Sequence, residues 1–466
     1  MTMAGGIMVP HPPLIVPQVG RGEERAVAAT EAAYRRAAEL LAQWRPETIV
    51  LASPHAVMYA DYFHVSPGKG AAGDFRQFGI RDVSMEVSYD REFVDALCGL
   101  ADEEGFPLGT LGGKGGGLDH GTLVPLYFIR QYLSGFKLVR MGLSGLPLAD
   151  HYRAGQLIAR TAQRLGRRIA FVASGDLSHK LKEDGPYGFA PQGPEYDRRI
   201  MEVMGNARFG QLFAFGDSFC DKAAECGHRS FVIMAGAFDR RAVEAEALSY
   251  EGPFGVGYGV CVFRDRGGDE ARNFLEQYEQ EQRRACARLR DGEDPYSGLA
   301  RRCLELFVRT GRRLKLPGDV PREMLERRAG VFVSIHKQGA LRGCIGTIGP
   351  TCGNVAKEIL QNAVSAGTRD PRFPAVREEE LDQLVYSVDV LGDTEPVDGP
   401  GQLDVKRYGV IVSKGGKRGL LLPNLEGVDT VEEQIAIARR KAGIGERETG
   451  VSLERFEVVR HGGEGE

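Results

Sequence analysis

Two short apolar runs, AGGIMV (4–9) and TIVLA (48–52), each lead into a proline-flanked histidine, His11 in VPHPP and His55 in ASPH. Between them EERAVAATEAAYRRAAELLAQW (23–44) carries alanine-rich helical periodicity. A strand, a helix and a second strand in that order make a parallel β-α-β unit. Open parallel sheets bind ligands in the crevice outside the carboxyl ends of their strands. Both histidines fall at that edge. Two more follow suit: His120 lies in the glycine-rich GGGLDHGT and His179 ends IAFVASGDLSH.

The alternation continues. Helices are expected near 91–104, 122–133, 150–165 and 194–206, strands at 136–142 and 168–173, and a closing pair of strands at 243–250 and 256–264. This pattern specifies an α/β fold, a three-layer helix-sheet-helix sandwich over residues 1–265. Composition then shifts. RDRGGDEARN (264–273) is polar, EQYEQEQRRACARLRDGED (276–294) reads as a charged helix, and residues 266–293 form the expected linker. A second domain, 294–466, opens with a helix at 297–310 and a strand at 330–336 before the turn KQGA, giving an α+β pattern.

With 42% hydrophobic and 27% charged residues and a net charge of -4, the chain has no electrostatic reason to bind nucleic acid or an anionic membrane. No apolar stretch approaches membrane-spanning length. MTMAGGIMVPHPP lacks the basic start of a signal peptide, and the eight cysteines contain no CxxC pair. Reduced thiols and a cytoplasmic location are expected. Self-association into a homo-oligomer stays open.

A lone histidine is more often structural than a ligand. Two at neighbouring strand ends, each stiffened by proline, can hold part of a mononuclear metal site that needs a third ligand. A carboxylate would complete the facial set of two histidines and one carboxylate that suits iron(II). In DKAAECGHRSF the candidate is Glu225, and its rival is the softer Cys226. Asp176, three residues before His179, is placed to orient that ring. His179 can then exchange a proton with a phenolic substrate. Glycines around His120 admit close approach of backbone and substrate. GTLGGKGGG (109–117) lacks the Walker spacing and is expected to be a flexible loop over the site.

PHPP, SPH, GLDHGTLVPLYF and SGDLSH, followed by a late glutamate, resemble the LigB-like class III extradiol dioxygenases over roughly residues 4–265. The resemblance implies that His11, His55 and Glu225 hold iron(II), another divalent metal being an alternative. It implies that His179 is the acid/base, that His120 binds substrate or oxygen, and that the substrates are a catecholic or aminophenolic aromatic and O2. ECGHR also resembles the Memo family, where a cysteine before glycine falls near the metal and ring cleavage is not the established role. On that alignment Cys226 faces the site.

LRGCIGTI (341–348), DPRFPAV (370–376) and LVYSVDVL (384–391) resemble the AMMECR family. Within them Cys344 is either a thiolate activated by Arg342 or a small buried residue of a tight strand. The pairing of the two domains resembles the AmmeMemoRadiSam system and implies a radical-SAM protein as partner. Two functions follow as expectations: an iron(II)-dependent extradiol-type dioxygenase, or a Memo-like metal-binding component of a macromolecule-modifying complex. The choice between Glu225 and Cys226 separates them.

Overall fold

A computed structural model describes residues 2–113, 116–337, 339–425, 427–446 and 448–462. Lys114 and Gly115, in the expected flexible loop, lie outside these described residues. The chain divides into two compact units, Met1–Tyr278 and Glu279–Glu466.

The first unit is built on a six-stranded sheet. Its strands are β1 (Met3–Val9), β2 (Thr48–Ala52), β3 (Lys137–Met141), β4 (Ile169–Ser174), β5 (Arg241–Glu251) and β6 (Tyr258–Gly268), in the order β3-β2-β4-β1-β6-β5. The first four are parallel; β6 and β5 join antiparallel at one edge. Strands β1, β2 and β4 are buried along their whole length, which is why their sequences are continuous apolar runs.

Alternate residues serve two cores. Ile7, Val9, Ile49 and Leu51 pack with α1 (Ala28–Gln43) and α3 (His120–Ile129) on one face. Met8, Val50, Ala52 and Phe171 pack on the other with α2 (Arg91–Glu103), α4 (Leu148–Leu165), α5 (Gln192–Gly205) and α6 (His228–Ala237). The three-layer sandwich expected from the alternation is the observed fold. A small hairpin, Gly70–Asp74 with Ser84–Ser88, has no counterpart in that expectation. Its first strand, GAAGD, carries neither branched nor aromatic residues.

The division between the two units falls inside the expected linker, 266–293. Strand β6 runs on to Gly268, and the helix α7 (Phe274–Asp291) straddles the division. Leu275 and Tyr278 join the first unit's core, whereas the Cys286 thiol donates to the Leu384 carbonyl of the second unit.

In the second unit, α8 (Pro295–Thr310) and α9 (Val355–Thr368) cover one face of a sheet ordered β8-β7-β9-β14. These strands are β7 (Val331–Lys337), β8 (Ala340–Gly346), β9 (Leu384–Leu391) and β14 (Val458–Gly462). A second sheet is ordered β10-β13-β11-β12, comprising β10 (Glu395–Val397), β11 (Gly409–Lys414), β12 (Lys417–Leu421) and β13 (Ser452–Phe456). The helix α10 (Val431–Ala442) packs against it.

Helices α4 and α6 meet backbone to backbone because each has glycine at the crossing. A methyl group on Gly155 would overlap the Ile233 carbonyl, and one on Gly236 would overlap that of Tyr152. Gly155→Ala is therefore expected to destabilise the first unit by about 1–3 kcal/mol. Calorimetry of the full chain should show that unit's transition shifted down and the other unchanged.

Candidate metal centre

The carboxyl ends of β1, β2 and β4 deliver the site. His11 follows β1 by two residues and His55 follows β2 by three, and β4 lies between those strands. The Nε2 atoms of His11 and His55 stand 3.0 Å apart, and the Cys226 Sγ is 3.7 Å from the His11 Nε2. Among the described residues, the metal-binding atoms of His11, His55 and Cys226 lie within 4.8 Å of one another. Nitrogens and a sulfur bound to one ion at about 2.1 and 2.3 Å stand roughly 3.0–3.8 Å apart. The donor chemistry, and the spacing of His11 to His55 and to Cys226, therefore fit a single metal ion.

The His11 tautomer is set by its neighbours. Ser174, the last residue of β4, donates its hydroxyl hydrogen to the Gly121 carbonyl at 2.6 Å. Its oxygen is left to accept from the His11 Nδ1–H, 3.0 Å away. The Nε2 lone pair is thereby turned towards His55 and Cys226. Burial, reinforced by His55, pushes the His11 pKa down to about 3, so the ring is neutral at pH 7. Burial, followed by Asp176 and Glu225, pushes the Cys226 thiol well up. A cation at the site acts in the opposite sense and favours the thiolate.

Glu225, the expected third ligand with Cys226 as its alternative, sits at a helix start in this structure. Its Oε2 accepts from the His228 backbone N–H at 2.6 Å, capping the first turn of α6. A helix start presents unsatisfied N–H groups, and this carboxylate answers one of them. Gly227, two residues after Glu225, packs so closely on Gly175 that a side chain on either would overlap the other's backbone. That contact brings the intervening Cys226 beside β4, where its Sγ accepts from the Asp176 N–H at 3.3 Å.

Asp176 departs from expectation. Its Oδ1 accepts from the His11 backbone N–H at 2.8 Å, and it makes no hydrogen bond to the His179 ring among the described residues. GDLSH is not helical, so a spacing of three does not place the two side chains on one face. Asp176 holds the His11 loop instead. The His179 Nδ1 is buried without a hydrogen-bond partner among the described residues, and its ring meets Tyr187 edge-on at 5.1 Å.

His120 opens α3 with its ring centroid 4.0 Å from that of His55 and 5.4 Å from that of His11. Burial and then the neighbouring His55 lower its pKa to about 4. The residue missed from sequence is Asp119. Its Oδ1 accepts from the Ser53 hydroxyl at 2.7 Å and the Thr122 N–H at 3.0 Å, while its Oδ2 accepts from the Arg140 Nη2 at 2.6 Å. Ser53 in turn accepts from the His55 N–H at 3.2 Å. An aspartate directly before a helix was the available signal.

In the second unit, Arg342 does not act on Cys344. A β-bulge in β8 between Leu341 and Gly343 turns its guanidinium onto Glu380, with contacts of 3.1 and 3.0 Å. Burial pushes the Cys344 thiol up rather than down, against smaller opposing contributions from Ser334 and Arg372. Glu380 shows the opposite balance. Burial raises it, but Arg342, the Arg377 N–H and Lys337 outweigh that and hold it at about 2, against the ordinary 4.5.

A family model described as the catalytic LigB subunit of aromatic ring-opening dioxygenase matches residues 5–261, and one described as AMMECR1 matches 297–461. A Clostridium acetobutylicum protein is 39% identical over 469 residues, covering 99% of each chain. A Thermotoga maritima protein is 54% identical over 171 residues, 36% of this chain and 98% of its own length. The crystal structure of an uncharacterized Pyrococcus horikoshii protein matches at 34% identity and a TM-score of 0.34, covering 35% of this chain and 88% of that one. No helix among the described residues is long and apolar enough to cross a membrane.

Two outcomes are expected. Ser174→Ala frees the His11 tautomer and should weaken metal binding roughly 10–100-fold, read by competition with a chromophoric chelator. For Glu380, a depressed carboxyl contributes stability above pH 4.5 and loses it as pH falls towards 2. The stability difference between wild type and Glu380→Gln should hold constant above about pH 5 and shrink below it in acid-melting curves.

Proposed function

The chain belongs to the LigB family, the catalytic subunits of aromatic ring-opening dioxygenases, through residues 5–261, and carries an AMMECR1 domain at 297–461; from that membership we propose that its first domain is a Memo-like metal-binding domain using His11, His55 and Cys226. The observation that carries this reading is the turn of Cys226 towards His11 while Glu225 caps a helix. A ligand set of two imidazoles and a thiolate is softer than the two-histidine, one-carboxylate set suited to oxygen activation at iron(II). The domain then serves a macromolecule-modifying system, with a radical-SAM protein as its partner, rather than cleaving catechols. His11, His55 and Cys226 would hold iron(II) or another divalent ion, which would supply Lewis acidity and an anchoring charge.

A second reading, extradiol cleavage of a catechol or aminophenol with O2, is favoured by one feature. The His179 Nδ1 is buried without a hydrogen-bond partner among the described residues and lies within electrostatic reach of His11. The neutral His120 offers a further ring nitrogen to a phenolic hydroxyl. Both side chains suit proton handling on an aromatic bound beside His55.

Cobalt(II) loading separates the ligand sets. Thiolate-to-metal absorption should appear in the wild type and in Glu225→Gln, and vanish in Cys226→Ser. Its persistence in Cys226→Ser would refute the proposed ligands. Iron(II)-loaded protein given catechols and aminophenols in air should form no yellow ring-opened product. Turnover that His179→Ala abolishes while metal is retained would establish the second reading instead.

A further inference from the structure

Strand alternation in the second unit leaves one sheet face without helices. Val331, Val333, Ile335, Val388 and Val390 point to α8 and α9 and are aliphatic. The opposite face carries Cys344, Ser334 and Ser387 as direct neighbours across β8, β7 and β9, with Phe332 beside Asp389 one pair along. A polar row at the centre of a sheet has no packing rationale of its own. It borders a cavity of about 670 Å³, within the size range of small-molecule sites.

The other wall is apolar, formed by Leu420, Leu422 and Leu425, and Lys441 of α10 stands at the rim. Charge does not balance there. Asp370 is paired with Arg372 at 2.7 Å and Asp389 with Arg460 at 2.8 Å. Lys441 has no carboxylate partner among the described residues. Arg372, Lys441 and the Cys344 sulfur lie within electrostatic reach of one another. The Asp370 carboxylate also accepts the Cys344 N–H at 2.9 Å, which fixes the strand that presents the thiol.

We propose that this cleft is a second binding site, for a small hydrophobic carboxylate: its charge meets Lys441, its apolar body lies against Phe332, Leu420 and Leu422, and the Cys344 thiol is in contact with it. The site stands independently of the metal reading. Lys441, exposed at the rim and without a carboxylate partner among the described residues, is complementary to one anionic group.

Affinity alkylation of the full chain tests it, using iodoacetate and iodoacetamide with site-resolved mass spectrometry. With either reagent the thiol proton passes to buffer, the sulfur attacks the CH2 carbon, a C–S bond forms and iodide leaves. Both reactions need the same thiolate, so their rate ratio cancels the extent of ionisation. At Cys344 the iodoacetate:iodoacetamide ratio should exceed that of N-acetylcysteine amide by about tenfold or more. The ratio should be kept in Lys441→Arg and lost in Lys441→Gln. Phenylacetate should slow Cys344 alkylation, and phenylacetamide should not. A wild-type ratio at or below the free thiol's, equal protection by both competitors, or no alkylation of Cys344 in the folded chain would each overturn the proposal.

Discussion

The ion pair between Asp119 and Arg140 holds the functional edge of the first unit together. It lies at the sheet edge with both side chains almost covered, and every strong acceptor position of the carboxylate is used. Removing one partner of such a pair leaves an uncompensated buried charge, a loss of roughly 3–5 kcal/mol. Its importance is geometric as well. One carboxylate fixes the loop after β2 through Ser53, starts the helix bearing His120, and ties both to β3. The rings of His55 and His120 are neighbours because their backbones share this anchor.

A parallel anchor governs the other half of the site. Asp176 holds the His11 loop by its side chain and receives Cys226 at its own N–H. The close packing of Gly175 on Gly227 makes that arrangement possible. Three donors thus arrive from β1, β2 and the segment before α6, each held by hydrogen bonds independent of a metal. Turning Glu225 towards His11 and His55 in place of Cys226 would uncap a helix.

Much of this was legible in the residues. Apolar runs ending at proline-flanked histidines located β1, β2 and the two imidazoles, and helical periodicity supplied the layers around them. The unread parts share one physical cause. Spacing reports side-chain direction only where the backbone is regular. In GDLSH it is not, so the spacing of three does not set Asp176 against the His179 ring, and the irregular turn at 225–227 decides which of Glu225 and Cys226 faces His11. In β8 a bulge rotated Arg342 away from Cys344. Asp119 escaped notice because its partner Arg140 lies 21 residues on, inside a strand whose side-chain environment only the assembled sheet defines.

The separation of the donors along the chain bears on how the protein folds. His11 and Cys226 are 215 residues apart, and the strand between the two histidines, β4, comes after both of them in sequence. Contacts of that range form slowly, since a long loop must close before they contribute. The sheet therefore assembles the ligands, and a metal ion has no compact local motif on which to nucleate the chain. A metal held by the proposed ligands would report that the domain has been completed, the reverse of a zinc finger, in which the metal comes first.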